Sequence, residues 1–294
     1  MKNINWTYCQ TKSNQILAGS AQALISSPWT QIDDAQSHFP GNYLISHNGL
    51  PLYIGESLDV KTRLKRQYGT SSTFYKNYQE KKSTFDIPQN LELPDFQMSF
   101  IQTRIGRKEV EEFGIVNLEI RLNKFQLGKK DKVILDVRHR IWEEIQDQTN
   151  AIIVDGAMLV SDEPEVVWYD AKLPSCPGLY YVTHPKNGLI YIGESTDIHA
   201  RWKTHGTDTR FSALRRHIGT NILNLQLKTK SELGQATKAK TDKKMCFTDK
   251  EDRLVNKYLE HCKVRFLPTR FGRIELEEHL IRNLQPMLNR KSKI

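Results

Sequence analysis

Cysteine is the rarest residue of the chain. Its four occurrences in 294 positions, Cys9, Cys176, Cys246 and Cys262, lack the paired spacing of a zinc site or a redox motif. A disulfide-stapled scaffold is thereby excluded, and the thiols read as free ones in a reducing compartment. Long apolar runs are missing too: no stretch of 18 apolar residues occurs, so no membrane span is expected. The leading segment, residues 1–27, is interrupted by Gly, Ser and Gln and does not read as a secretory signal, which leaves a cytoplasmic location as the expectation. A hydrophobic content of 38% with 26% charged residues fits a soluble globular protein, and the length suits two domains with a core each.

Acidic residues run short toward the end of the chain. Residues 1–147 hold 19 Lys and Arg against 17 Asp and Glu, whereas residues 148–294 hold 24 against 17. From His199 onward the count is 22 against 10, the electrostatic footprint of a surface that meets a polyanion.

What the sequence does contain is a repeat. Tyr-Ile-Gly-Glu-Ser-x-Asp-x-x-x-Arg occurs from Tyr53 to Arg63 and again from Tyr191 to Arg201, each preceded by Pro-Gly-x-Tyr, at Pro40 to Tyr43 and Pro177 to Tyr180. A later block, Thr103-Arg104-Ile105-Gly106-Arg107-Lys108-Glu109-Val110-Glu111-Glu112, mirrors Thr269-Arg270-Phe271-Gly272-Arg273-Ile274-Glu275-Leu276-Glu277-Glu278. Asn123 follows Glu111 by 12 residues, as Asn289 follows Glu277 by 12. Three matched blocks imply two copies of one domain-sized unit. The expected division is 1–130, a connecting segment 131–150 with a polar turn at 128–132 and a helix over 133–146, and 151–294. From Arg to Glu the first copy spans 48 residues and the second 76; the excess falls in a lysine-rich stretch near 220–257, read as a solvated loop with a short helix that grips nucleic-acid backbone, or as a surface insertion without contacts.

Within residues 177–205, two runs rich in Tyr, Ile and Val flank a polar break at 183–188, which predicts a β-hairpin followed by a helix after Ser195. Third strands are expected at 96–101 and 263–267. The hairpin sets Tyr180 and Tyr191 on adjacent strands, and Arg201 and His205, four apart, share one helix face. Two phenols, a guanidinium and an imidazole gathered at one spot suit a phosphate.

The ordered motifs Gly178-Leu179-Tyr180, Tyr191-Ile192-Gly193 and Arg201 resemble the GIY-YIG nuclease family. The resemblance continues to Glu277 on a helix with Leu276, Leu280, Ile281 and Leu284 at helical spacing, and to Gln285-Pro286-Met287-Leu288-Asn289 beyond it. It implies an α+β fold of two repeated small mixed domains, each a three-stranded antiparallel sheet flanked by helices. It also implies that Glu277 binds the metal, that Tyr180 activates water, and that Asn289 braces the site or ends its helix. Phosphodiester hydrolysis needs an aligned water, positive charge on the developing transition state and a stabilised leaving oxygen. Mg²⁺ or Mn²⁺ accepts one carboxylate, several waters and a substrate phosphate, so Glu277 alone suffices. Arg201 supplies a bidentate fork that lysine lacks. A phenol of pKa about 10 is ionised to about one part in a thousand at pH 7, a gap of roughly 4 kcal/mol that Arg201, a metal or His205 has to narrow. Tyr191 positions water or phosphate, and His205 accepts the tyrosine proton or bonds the phosphate.

In the first copy Tyr43, Tyr53, Arg63, Glu111 and Asn123 match, with Glu111 as the corresponding metal ligand, but Gln67 replaces His205 and Ile120 replaces Pro286. The second site is therefore expected to be active, and the first to be a slower site or a DNA-positioning copy. Arg104, Arg107, Lys203, Arg270, Arg273, Lys240, Lys243 and Lys244 are the expected DNA contacts. The sequence thus points to a Mg²⁺- or Mn²⁺-dependent endodeoxyribonuclease of restriction or antiviral defence, acting on duplex, single-stranded or branched DNA, with a protein partner from a defence or repair system. A nucleic-acid-binding module with a degenerate nuclease fold and a structure-specific repair or recombination nuclease stay open as alternatives.

Overall fold

Two four-stranded antiparallel sheets, one in each of two units spanning Met1–Asp155 and Gly156–Ile294, organise the computed structural model of this chain. The structure describes residues 4–31, 38–67, 69–85, 87–123, 139–229, 231–234 and 245–289. The polar turn at 128–132, the first part of the helix expected over 133–146, and Lys240, Lys243 and Lys244 lie outside the described residues.

The first unit begins with α1 (Trp6–Thr11) and α2 (Ser13–Ser26), then β1 (Thr30–Gln31) and the hairpin β2 (Gly41–His47) and β3 (Leu50–Ser57). The hairpin closes on Asn48 and Gly49, at φ 48° and 76°. Those are the two residue types that accept left-handed backbone at both central positions of a tight turn matched to strand twist. Then follow α3 (Val60–Gln67), α4 (Thr73–Lys81), β4 (Gln97–Gln102), α5 (Arg107–Asn117), α6 (His139–Asp147) and α7 (Thr149–Asp162), within which the division between the units falls. Tyr43, Ile45, Tyr53, Leu64, Phe74, Tyr78, Phe96 and Met98 pack into the core between sheet and helices.

The second unit continues with β5 (Val166–Val167), β6 (Gly178–His184), β7 (Gly188–Ser195), α8 (Ile198–Thr207), α9 (Ala213–His217), α10 (Asp249–Leu259), β8 (Lys263–Pro268) and α11 (Arg273–Leu284). Its core gathers Trp168, Tyr180, Val182, Ile190, Leu214, Phe247, Val255, Leu259, Val264 and Leu288. The two sheets share one design: strand order is β1-β4-β2-β3 in the first and β5-β8-β6-β7 in the second. Tyr43 faces Gly55 and Phe100 across its neighbours, as Tyr180 faces Gly193 and Phe266. Both glutamate-bearing helices start after a left-handed glycine, Gly106 at φ 91° and Gly272 at φ 84°.

Two expectations need correction. Each sheet has four strands rather than three, because β1 and β5 add an edge of two residues, too short for alternation to mark them in sequence. The lysine-rich stretch, expected as a solvated loop with a short helix, is not solvated throughout: a π-helical turn covers Ile218–Ile222, Lys228 and Cys246 exchange backbone hydrogen bonds of 2.9 and 2.8 Å, and α10 buries Val255 and Leu259 in the core. Its start is written in Thr248-x-x-Glu251, a reciprocal capping box that satisfies two otherwise unbonded backbone donors.

Removing that cap has a defined cost. Thr248→Ala is expected to lower the unfolding free energy by about 1 kcal/mol in urea titrations, with the slope unchanged.

Candidate active site

The site of the second unit starts from a missing side chain. Gly193 on β7 sits directly opposite Tyr180 on β6, and a Cβ there would overlap the Tyr180 hydroxyl and also meet Tyr191 Cε1 at 2.9 Å. Glycine therefore lets the Tyr180 ring lie flat across the neighbouring strand. The two tyrosine rings stack loosely, with centroids 6.2 Å apart at 27°.

Tyr180 is buried, and its hydroxyl lies 2.7 Å from Nε2 of His205, itself only 1% exposed on α8. His205 Nδ1 lies 2.6 Å from the hydroxyl of Ser212, whose oxygen also caps α9 by accepting from the Arg215 N–H. Arg215 is buried; it donates to the His205 carbonyl at 3.2 Å and to Asn256 and Asp252 on α10 at 2.7 and 2.8 Å. The inserted helix thus braces the turn that carries the imidazole. Burial, then the Arg201 and Arg215 charges, push the His205 pKa down to about 3, so the ring is neutral at pH 7. Burial also holds the Tyr180 hydroxyl well above the usual phenol value, followed by the pull of neighbouring Tyr191. The free protein widens the ionisation gap that the sequence reading asks it to narrow. His205 is buried, with Nε2 against the Tyr180 hydroxyl rather than open to solvent.

Glu277 comes from α11, the helix that packs on β7. Burial pushes its carboxyl up to about 8, and the adjacent Glu194 carboxylate adds to the rise, while the Glu194 backbone N–H and the Arg201 charge work the other way. Arg201 is half-buried, with Nη1 donating to the Phe211 carbonyl at 3.3 Å, and its charge is felt by Tyr180, Tyr191, His205 and Glu277. Five of the six expected residues therefore converge. Asn289 does not join them: its amide accepts from the Ile192 N–H and donates to the Ile192 carbonyl, both at 2.8 Å, which seals the outer edge of β7. Asn123 does the same to Ile54 at 3.0 and 2.8 Å, so both asparagines hold a strand edge.

The expected DNA contacts divide by burial. Lys203, Arg104 and Arg270 are exposed. Arg107 and Arg273 are 2% and 0% exposed, and Arg273 Nε lies 3.6 Å from Glu194 Oε2. Both arginines stand at the first position of a helix entering the core, where the guanidinium is covered, so neither meets a phosphate. Sequence reasoning also passed over Glu194, Ser212, Arg215 and Lys108. Glu194 lay inside the repeated motif, Ser212-x-x-Arg215 had the look of a helix cap, and Lys108 was visible as an unmatched position opposite Ile274.

In the first unit Gln67 occupies the place of His205. Its Nε2 donates to the Tyr43 hydroxyl at 3.0 Å, and Arg63 Nε donates to the same oxygen at 3.4 Å. The tyrosine oxygen there is an acceptor with no basic partner. Glu111, expected to bind metal, is instead held by Lys108 Nζ at 2.6 Å. Burial lifts the Glu111 carboxyl as it lifts Glu277, and the Lys108 ammonium offsets part of that rise.

His205→Gln copies the first unit and is read through the pH dependence of stability. A buried imidazole whose folded pKa is depressed is protonated first in the unfolded chain, so its contribution is complete above about pH 6.5 and is lost as pH falls toward 3. Wild-type stability is expected to drop between about pH 7 and about pH 5 by more than that of His205→Gln, measured by urea unfolding at both values.

All four cysteines are free thiols, no helix is long and apolar enough to cross a membrane among the described residues, and no cluster of three potential metal ligands occurs among them. The chain matches no curated protein and no solved structure. Residues 173–293, which hold Tyr180, Tyr191, Arg201, His205, Glu277 and Asn289, match the family model of the GIY-YIG catalytic domain, a nuclease family that generally uses divalent metal ions on nucleic acid.

Proposed function

We propose that the second unit is a divalent-cation-dependent DNA endonuclease that hydrolyses phosphodiester bonds, acting in restriction or antiviral defence, with residues 1–130 and 151–294 as two GIY-YIG-like domains joined by 131–150. One observation carries the reading: Tyr180, Tyr191, Arg201 and Glu277 meet at one half-buried spot backed by the neutral imidazole of His205. The surplus of 22 basic over 10 acidic residues from His199 onward gives the polyanion a surface to approach.

The residues cover the chemical needs in turn. Arg201 takes a non-bridging phosphate oxygen. With Nδ1–H of His205 turned to Ser212, Nε2 accepts from the Tyr180 O–H, and the lone pairs of the phenol oxygen face the attacking water. A proton passing from water to that oxygen is matched by one passing from it to Nε2, so a free tyrosinate never forms. The phosphate offsets the Arg201 charge that depresses His205, raising its basicity when substrate is present. Glu277 fits a hard cation, since it offers carboxylate oxygen beside Glu194, and Ile274 rather than a cationic residue stands one turn before it. Mg²⁺ or Mn²⁺ held there supplies charge for the developing phosphorane and the leaving oxygen.

Supercoiled plasmid incubated with Mg²⁺, Mn²⁺ or EDTA tests this. Glu277→Ala is expected to lower the cleavage rate by about 10³-fold while Glu111→Ala leaves it near wild type. Salt-sensitive binding by the wild type with no cleavage in any cation would make the chain a nucleic-acid-binding module, and a preference for branched substrates would place it in repair or recombination.

A further inference from the structure

The first unit rebuilds the site with one change of charge. Lys108 Nζ stands 2.6 Å from Glu111 Oε2, with side-chain exposures of 34% and 15%. The equivalent position in the second unit, three residues before Glu277, is Ile274. Arg63 and Gln67 both hold the Tyr43 hydroxyl, and Glu56 lies within electrostatic reach of Arg63 and Lys108 alike. An ammonium at that distance occupies one oxygen of the carboxylate and sets a positive charge where a cation would bind at about 2.1 Å, and like charges so close repel.

We infer that the first unit is a metal-independent phosphodiester-binding site that does not cut: Lys108 is the fixed counter-ion of Glu111, standing where the second unit recruits a cation. Ammonium brings charge but no ordered shell of activated water, and Gln67 gives Tyr43 no proton acceptor, so the site grips a nucleic-acid phosphate through Arg63 and Lys108 without aligning a nucleophile. The inference rests on the proposed cation role of Glu277.

Tb³⁺ titration of the full chain, read by tyrosine-sensitised luminescence, separates the two. Wild type is expected to bind one equivalent that Glu277→Gln removes and Glu111→Gln leaves. Lys108→Ile is expected to add a second equivalent, which Glu111→Gln then removes. In the Glu277→Gln background, Lys108→Ile should also weaken binding of a labelled DNA duplex about tenfold in EDTA, with Mg²⁺ restoring it. A wild-type equivalent lost in Glu111→Gln overturns the inference. So does duplex binding in EDTA that is unchanged by both Lys108→Ile and Lys108→Met. A second equivalent appearing in Lys108→Ile while Glu277→Gln leaves the first intact would sink the Glu277 reading and spare this one.

Discussion

The bond between the Tyr180 hydroxyl and Nε2 of His205, made between two buried side chains, sets the terms for everything around it. In a buried surrounding neither group can ionise cheaply, so each stays neutral, which suits the pair to the relay proposed for it. Keeping it dry demands a ring lying flat over Gly193, a serine oxygen behind the imidazole, and a buried arginine tying the following turn to α10. The insertion, which in sequence looks like decoration, is thereby part of the wall behind the relay.

The two units share one backbone plan and differ at a few side chains around the paired tyrosines. Strand order, register, the crossing of tyrosine over glycine and the asparagine brace are common to both. Besides the insertion and Ile120 for Pro286, two differences fall beside the tyrosine and the glutamate, Gln67 for His205 and Lys108 for Ile274. On the proposed reading, the first would remove a proton acceptor, and the second would set a tethered charge where a cation is recruited in the second unit. Neither disturbs the fold, because each newcomer finds a partner in place: Gln67 in the Tyr43 hydroxyl, Lys108 in the Glu111 carboxylate.

Much of this was legible in the sequence because the relevant signals are local. Hairpin, helix and spacing placed Tyr180, Tyr191, Arg201 and His205 together before any coordinates, and the paired register of the two sheets follows the repeated blocks. What stayed hidden depends on contacts between distant segments. The two-residue edge strands exist only through their partners, and the burial of Arg107 and Arg273 reflects the way α5 and α11 enter the core. Asn289 was expected to brace the site or end its helix, but which strand edge it and Asn123 hold, Ile192 and Ile54, is visible only in the structure. The pairing of Lys108 with Glu111 was available as a helical i,i+3 step, yet the repeat drew the eye to what matched rather than to what did not.

The asparagine braces also bear on how an insertion can be carried at all. Each one closes a loop of chain, 69 residues from Ile54 to Asn123 and 97 from Ile192 to Asn289. The longer loop contains the whole additional stretch of the second unit. Because closure entropy grows only with the logarithm of length, that difference adds about 0.3 kcal/mol to the cost of bringing the ends together. A lineage could therefore lengthen this connection almost without penalty in folding free energy, and the helix that came with it was free to be selected for what it holds in place.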